Sequence, residues 1–104
     1  MQSFLEIGKT QEENQTVFML KGWLDSANSP KLQTEIETVM SQNQGDIILD
    51  ISELSFISSA GLRILLMIHN KCKEVNCKQI IRGANESTKE LFNITGFSKI
   101  LTIE

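Results

Sequence analysis

Few side chains in this chain carry reactive groups in a pattern that chemistry could use. The first are two adjacent hydroxyls, Ser58-Ser59, set before Ala60-Gly61-Leu62 and a long apolar run. Two carboxylates, Asp25 and Asp50, follow apolar stretches and are expected at strand ends ahead of turns. His69 is the single histidine, and Cys72 and Cys77 are the two cysteines. A nucleophilic serine needs a base within hydrogen-bond reach, and no candidate stands out. Turn and cap roles account for Asp25 and Asp50 better than acid–base chemistry does. A zinc site wants a fuller set of Cys and His ligands than these three residues supply. No glycine-rich phosphate loop is present. The expectation is therefore no enzyme, no catalytic residue, no metal and no cofactor. The cysteines read as free structural thiols and His69 as a core or boundary residue.

The hydroxyl pair has a different use. With Ser58 as N-cap, its side chain accepts a backbone N–H from the first turn and is occupied. Ser59 is then the first helical residue, its hydroxyl free beside the positive end of the helix dipole. A phosphate placed there is stabilised by the dipole and by unpaired N–H groups, and the helix need not melt. Ser59 is the favoured phosphorylation site and Ser58 the alternative. At about 100° per residue, Leu62, Leu65, Ile68 and Cys72 gather on one side of the helix, with Gly61 allowing close approach to a sheet. Ser59, Arg63, Met67, Asn70 and Glu74 form the opposite stripe. A lone exposed apolar residue is ordinary, and for Met67 spacing alone favours that plain reading. The other reading makes this flexible side chain part of an adaptable binding surface.

Elements able to position such a helix run the length of the chain. Phe4 to Gly8 and Thr16 to Lys21 read as strands of an antiparallel hairpin, with the polar stretch Thr10 to Gln15 as a longer loop. Gly22-Trp23-Leu24-Asp25 is expected to leave the sheet. Asn28 or Ser29 caps a helix starting at Pro30, with Leu32, Ile36, Val39 and Met40 on one face and an end between Ser41 and Gly45. Asp46 to Ile51, with three apolar residues in succession, predicts a strand buried on both faces. Leu54 to Ile57 is a separate brief extension, and the helix from Ser58 runs to about Val75. Lys78 to Arg82 is a strand, Ser87 to Thr95 a helix with Ser87 and Glu90 at capping-box spacing and Gly96 past its end, and Lys99 to Ile103 a last strand. The order β-β-α-β-α-β-α-β predicts an α/β fold with a mixed four- to five-stranded sheet and helices mainly on one face.

Bulk properties narrow the function further. A chain of 104 residues suits one domain, expected over residues 1–104. The formal net charge of -3 is scattered, so nucleic acid, which requires a concentrated basic face, is not an expected partner. No apolar stretch is long enough for membrane insertion, and Met1 to Lys9 lacks the basic-then-apolar pattern of a signal peptide. Two free cysteines suit a reducing compartment, so a cytoplasmic location is expected. No small-molecule substrate is expected.

The stretch from Asp50 to Arg63 resembles the signature of the STAS family, whose bacterial members include anti-sigma factor antagonists. The matching segments are Ile48-Leu49-Asp50, Leu54-Ser55-Phe56-Ile57 and Ser58-Ser59-Ala60-Gly61-Leu62. Gly22-Trp23-Leu24-Asp25 is similar to the family's turn before its first helix, and Leu91 to Phe97 to its closing segment. The fold the resemblance implies is the STAS fold.

In function, the resemblance implies that the unmodified protein binds an anti-sigma factor that is also a serine kinase, freeing a sigma factor. Phosphorylation of the serine matching Ser59 switches this off, and a serine phosphatase resets it. The partner-binding residues it implies are Asp25, Ser58, Ser59, Ala60, Gly61, Arg63 and Met67. Repulsion between a phosphate and acidic surface including Glu74 is expected to disfavour rebinding. Many phosphorylated members carry Asp immediately before the target serine, where this chain has Ser58. Both are good N-caps, but the missing carboxylate alters what a kinase or phosphatase meets. The alternative within the family is a non-phosphorylated accessory subunit of a lipid-transport ATPase or another signalling complex.

Overall fold

The computed structural model describes residues 4–42 and 45–104. Two strands, β1 (Leu5–Glu12) and β2 (Gln15–Leu24), form an antiparallel hairpin closed by Glu13 and Asn14. The loop is shorter than the expected Thr10 to Gln15. Asn14 takes the left-handed conformation that a tight reversal needs, so the polar residues on either side can pair. Then follow α1 (Ser29–Ser41), β3 (Asp46–Ile57), α2 (Ser59–Glu74), β4 (Gln79–Arg82), α3 (Glu86–Thr95), a 3-10 turn at Phe97–Lys99 and β5 (Thr102–Ile103). The end of α1 falls at Ser41 with Gln42 beyond it; Asn43 and Gln44 lie outside the described residues. The sheet has five strands in sequence order, and β2 through β5 pair in parallel.

Alternation along the strands builds the core on one side of this sheet. Phe18, Leu20 and Leu24 of β2, Ile47, Leu49, Ile51 and Ile57 of β3, and Ile81 of β4 are buried in one cluster. Leu32, Ile36 and Val39 from α1, Leu62, Leu65, Ile68 and Cys72 from α2, and Phe92 from α3 join the same cluster. Burying each of the larger side chains contributes roughly 1.5–3 kcal/mol. Ile48, on the opposite face, is buried too, but Asp46 and Asp50 beside it are half-buried and Ser52 is exposed, so β3 is fully covered on one side only and not on both as expected. Gln79 is buried, and its Nε2 donates to the Leu65 carbonyl at 3.0 Å, tying β4 to the middle of α2.

Several local expectations need correction. Gly22-Trp23-Leu24 does not leave the sheet; β2 continues through it, with register shifts between Met19 and Lys21 and between Gly22 and Trp23. Such bulges let a strand twist and stay paired, so a glycine inside it need not end it. Leu54 to Ile57 is likewise part of β3, not a separate piece. Asn85, not Ser87, caps α3: its Oδ1 accepts the Thr88 N–H at 2.8 Å, while the Ser87 hydroxyl donates to that same oxygen. Gly96 closes α3 in the left-handed conformation, as its position predicts. The chain after it first makes the 3-10 turn, so the last strand is reduced to two residues.

Candidate functional site

Parallel pairing brings two chain reversals to one edge of the sheet. Leu24 and Ile57, the last residues of β2 and β3, are register partners, so Asp25 and Ser58 emerge side by side. The Ser58 N–H donates to the Leu24 carbonyl at 3.0 Å, which joins the two exits directly. The Asp25 carboxylate accepts the Asn28 N–H at 3.0 Å, and its carbonyl accepts the Ser29 N–H and hydroxyl at 2.8 and 2.6 Å. Asp25 thus folds the turn that launches α1.

Ser58 has extended backbone and is the N-cap of α2, its Oγ accepting the Gly61 N–H at 3.2 Å. Ser59 is the first helical residue and is exposed. Its hydroxyl makes no hydrogen bond among the described residues. Arg63 and Met67 are exposed further along the same stripe, with Asn70 and Glu74. Ala60 is half-buried. Gly61 is buried, and a Cβ built on it would stand 2.5 Å from the Leu24 carbonyl oxygen. The missing side chain lets α2 lie against the end of β2.

Two expectations about charge change here. Asp50 is not at a strand end: it lies within β3, opposite Met19 and Arg82, well before the exit at Ile57. Its carboxylate is held below the ordinary range by the Ser52 backbone N–H, then the Ser52 side chain, against the cost of burial and with help from Arg82. It makes no pair with Asp25. Glu74 closes the far end of α2, fifteen residues from Ser59, or about 22 Å along the helix axis. That exceeds the ~8 Å screening length at physiological salt, so Glu74 does not act on a phosphate at Ser59. His69 is buried on the inner flank of α2, as its spacing predicts.

Trp23 alone reads equally as a partner-facing aromatic or a lid on the core; pairing across the strands gives its ring a neighbour in Phe56. Trp23 and Phe56 are register partners with ring centroids 5.1 Å apart and planes tilted at 50°. Phe56 is 45% exposed. Because Leu24 and Ile57 point into the core, their neighbours turn to the opposite face. The alternation of Phe56 with Ile57 was the available signal.

A mixed five-stranded sheet, helices feeding one core and a serine at the head of α2 define a class of small α/β regulatory domain. The family model for the STAS domain matches residues 6–104, and the chain belongs to that family. It is 30% identical over 84 residues to BtrV of Bordetella bronchiseptica, which is described as an anti-sigma factor antagonist; the match spans 81% of this chain and 72% of that protein. It is 23% identical over 100 residues to the anti-sigma-B factor antagonist of Listeria monocytogenes, spanning 96% of this chain and 87% of that one. Among solved structures, the Bacillus anti-sigma factor antagonist SpoIIAA in its unphosphorylated form superposes with a TM-score of 0.75 at 20% identity, covering 97% of this chain and 87% of that chain. Its phosphorylated form gives 0.73 at 20% identity, covering 97% and 91%. The anti-sigma factor antagonists of this family are regulatory proteins and not enzymes.

Proposed function

We propose that this chain is an anti-sigma factor antagonist whose unphosphorylated form binds an anti-sigma factor serine kinase and so releases a sigma factor. The observation that carries this reading is the division of labour between two adjacent hydroxyls. Ser58 is engaged as the cap of α2, while Ser59 is exposed and unbonded one residue later. A kinase transferring the terminal phosphoryl group of ATP to Ser59 Oγ replaces a small hydroxyl by a group of charge near -2. The fold tolerates that group at a helix N-terminus, whereas a surface fitted to the hydroxyl does not. Each ~1.4 kcal/mol so lost is tenfold in affinity, so one phosphate suffices as a control. A serine phosphatase restores the binding form. The reading makes residues 1–104 one STAS domain working in the cytoplasm, with Asp25, Ser58, Ser59, Ala60, Gly61, Arg63 and Met67 as the partner-binding residues.

The test is to incubate the chain with ATP and each anti-sigma factor serine kinase of its host. The expected result is one phosphate per chain, mapped to Ser59 by peptide mass spectrometry. Phosphate on Ser58 would reverse the assignment of the two hydroxyls. No transfer from any of these kinases would remove the switch.

A further inference from the structure

The end of α2 remote from Ser59 closes in a motif that brings both cysteines of the chain together. Val75 is the C-cap, and Asn76 beyond it is left-handed, with φ 62°. The Cys77 N–H donates to the Cys72 carbonyl at 2.9 Å, and the Asn76 N–H to the Lys73 carbonyl at 3.4 Å. Two such bonds around a left-handed residue make a Schellman motif, in which the outer pair of residues bring their side chains into contact. Here both of those residues are cysteines. The 2.9 Å bond and standard backbone lengths hold their Cα atoms within about 7 Å, a span that a disulfide can close.

Their surroundings differ in a useful way. Cys72 is 1% exposed inside the core cluster, while Cys77 is half-buried and packs against that cluster. Burial first, and the Cys77 thiol second, push the Cys72 thiol above its ordinary range. Cys72 by itself is therefore protonated and inert, and Cys77 is the sulfur that an oxidant meets first. Cys72, Cys77 and His69 line one cavity of about 230 Å³. Hydrogen peroxide, little larger than the ~30 Å³ share of a water molecule, has room there. Among the described residues no three His, Cys, Asp or Glu side chains are grouped to hold a metal ion, which leaves chemistry between the two sulfurs.

We propose that Cys72 and Cys77 are a peroxide-sensing pair that forms a reversible disulfide across the end of α2. The Cys77 sulfur attacks a peroxide oxygen, the O–O bond breaks, and the leaving oxygen departs as water with the thiol proton. Cys77 is thereby oxidised to a sulfenic acid. The Cys72 sulfur then attacks it, the S–O bond breaks, and the hydroxyl leaves as water with the Cys72 proton. Two thiols and one hydrogen peroxide give one disulfide and two waters. Proximity offsets the low thiolate fraction of Cys72 in the second step. A reducing compartment keeps the resting pair as thiols and restores it by exchange. Ser59 takes no part, so loss of the phospho-switch reading would leave this site standing.

The experiment treats the full folded chain with hydrogen peroxide, blocks remaining thiols with iodoacetamide in denaturant, and reads intact mass and peptide maps. The expected product has lost two hydrogens, takes up no alkyl group and joins Cys72 to Cys77 within one chain. Dithiothreitol returns both thiols. In Cys72→Ala the Cys77 sulfenic acid persists and is trapped by dimedone. In Cys77→Ala the remaining Cys72 is expected to oxidise at least tenfold more slowly than the wild-type pair. Circular dichroism verifies that each variant is folded, and Cys72→Val serves if the alanine variant melts early. Wild-type Cys77 left as sulfenic or sulfinic acid, with Cys72 still alkylated, overturns the proposal. So does a disulfide between two chains, one that forms only in urea, or no oxidation of either cysteine.

Discussion

Gly61 and the Leu24 carbonyl are in such close approach that the helix carrying Ser59 rests directly on the end of β2. A methyl group at Gly61 would meet a backbone oxygen, which cannot swing aside as a side chain could. Alanine's better helix propensity, about 1 kcal/mol, works against this clash and does not offset it. Gly61→Ala is expected to lose about 1–3 kcal/mol of stability, the usual range for overpacking. Thermal denaturation checks this, at about 4–8 °C per kcal/mol for a domain of this size.

Ser58 separates cap chemistry from switch chemistry. Ser58→Ala removes the acceptor of the Gly61 N–H and should cost about 0.5–2 kcal/mol by urea titration. Ser58→Asp supplies another good N-cap and should match the wild type. Equal stability of Ser58→Ala and wild type would mean that the cap bond contributes nothing.

Ser59→Asp should move stability and binding in opposite directions. A carboxylate in the first turn interacts favourably with the helix dipole, by about 0.3–1 kcal/mol. The same charge should abolish measurable binding to the anti-sigma factor kinase, while Ser59→Ala keeps it. Melting curves beside calorimetric titrations supply both readings. Loss of binding accompanied by an early melt would instead point to damage to the fold.

His69 should write a slope into stability below neutral pH. Burial first, and the nearby Lys73 charge second, hold its imidazole below the ordinary value of 6.5. The unfolded chain therefore takes up a proton before the folded chain does. The contribution of a neutral His69 is present above pH 6.5 and is lost as the pH falls through the lower folded value. Urea midpoints between about pH 8 and about pH 5 should decline for the wild type and less steeply for His69→Gln.

The Glu37–Lys71 ion pair, 2.7 Å long, links α1 to α2. Its hydrogen bonds, from Lys71 first and then Gln33, lower the Glu37 pKa from its ordinary 4.5. The stabilisation is present above that value and fades as the carboxylate is protonated below it. Both side chains are substantially exposed, so added salt should weaken the pair. Glu37→Gln should flatten the acid limb of the stability curve and reduce its salt dependence.

Period and punctuation in the sequence by themselves determined the alternating elements, the buried and exposed faces of α2, and the cap role of Ser58 beside a free Ser59. These are local: a helix face follows from 3.6 residues per turn, and an N-cap from one side chain and the N–H three residues on. Tertiary structure alone decided that β2 runs on through Gly22 to Leu24, because only pairing with β3 holds a bulged strand in the sheet. It also placed Asp25 beside Ser58, set Gly61 of α2 against the Leu24 carbonyl at the end of β2 and joined Trp23 to Phe56 across thirty-three positions of sequence. Each of these depends on the register between strands distant in the chain, and no local pattern encodes register. The separation of Asp50 from Asp25 has the same origin: both follow apolar runs, but only strand pairing reveals which of those runs has ended.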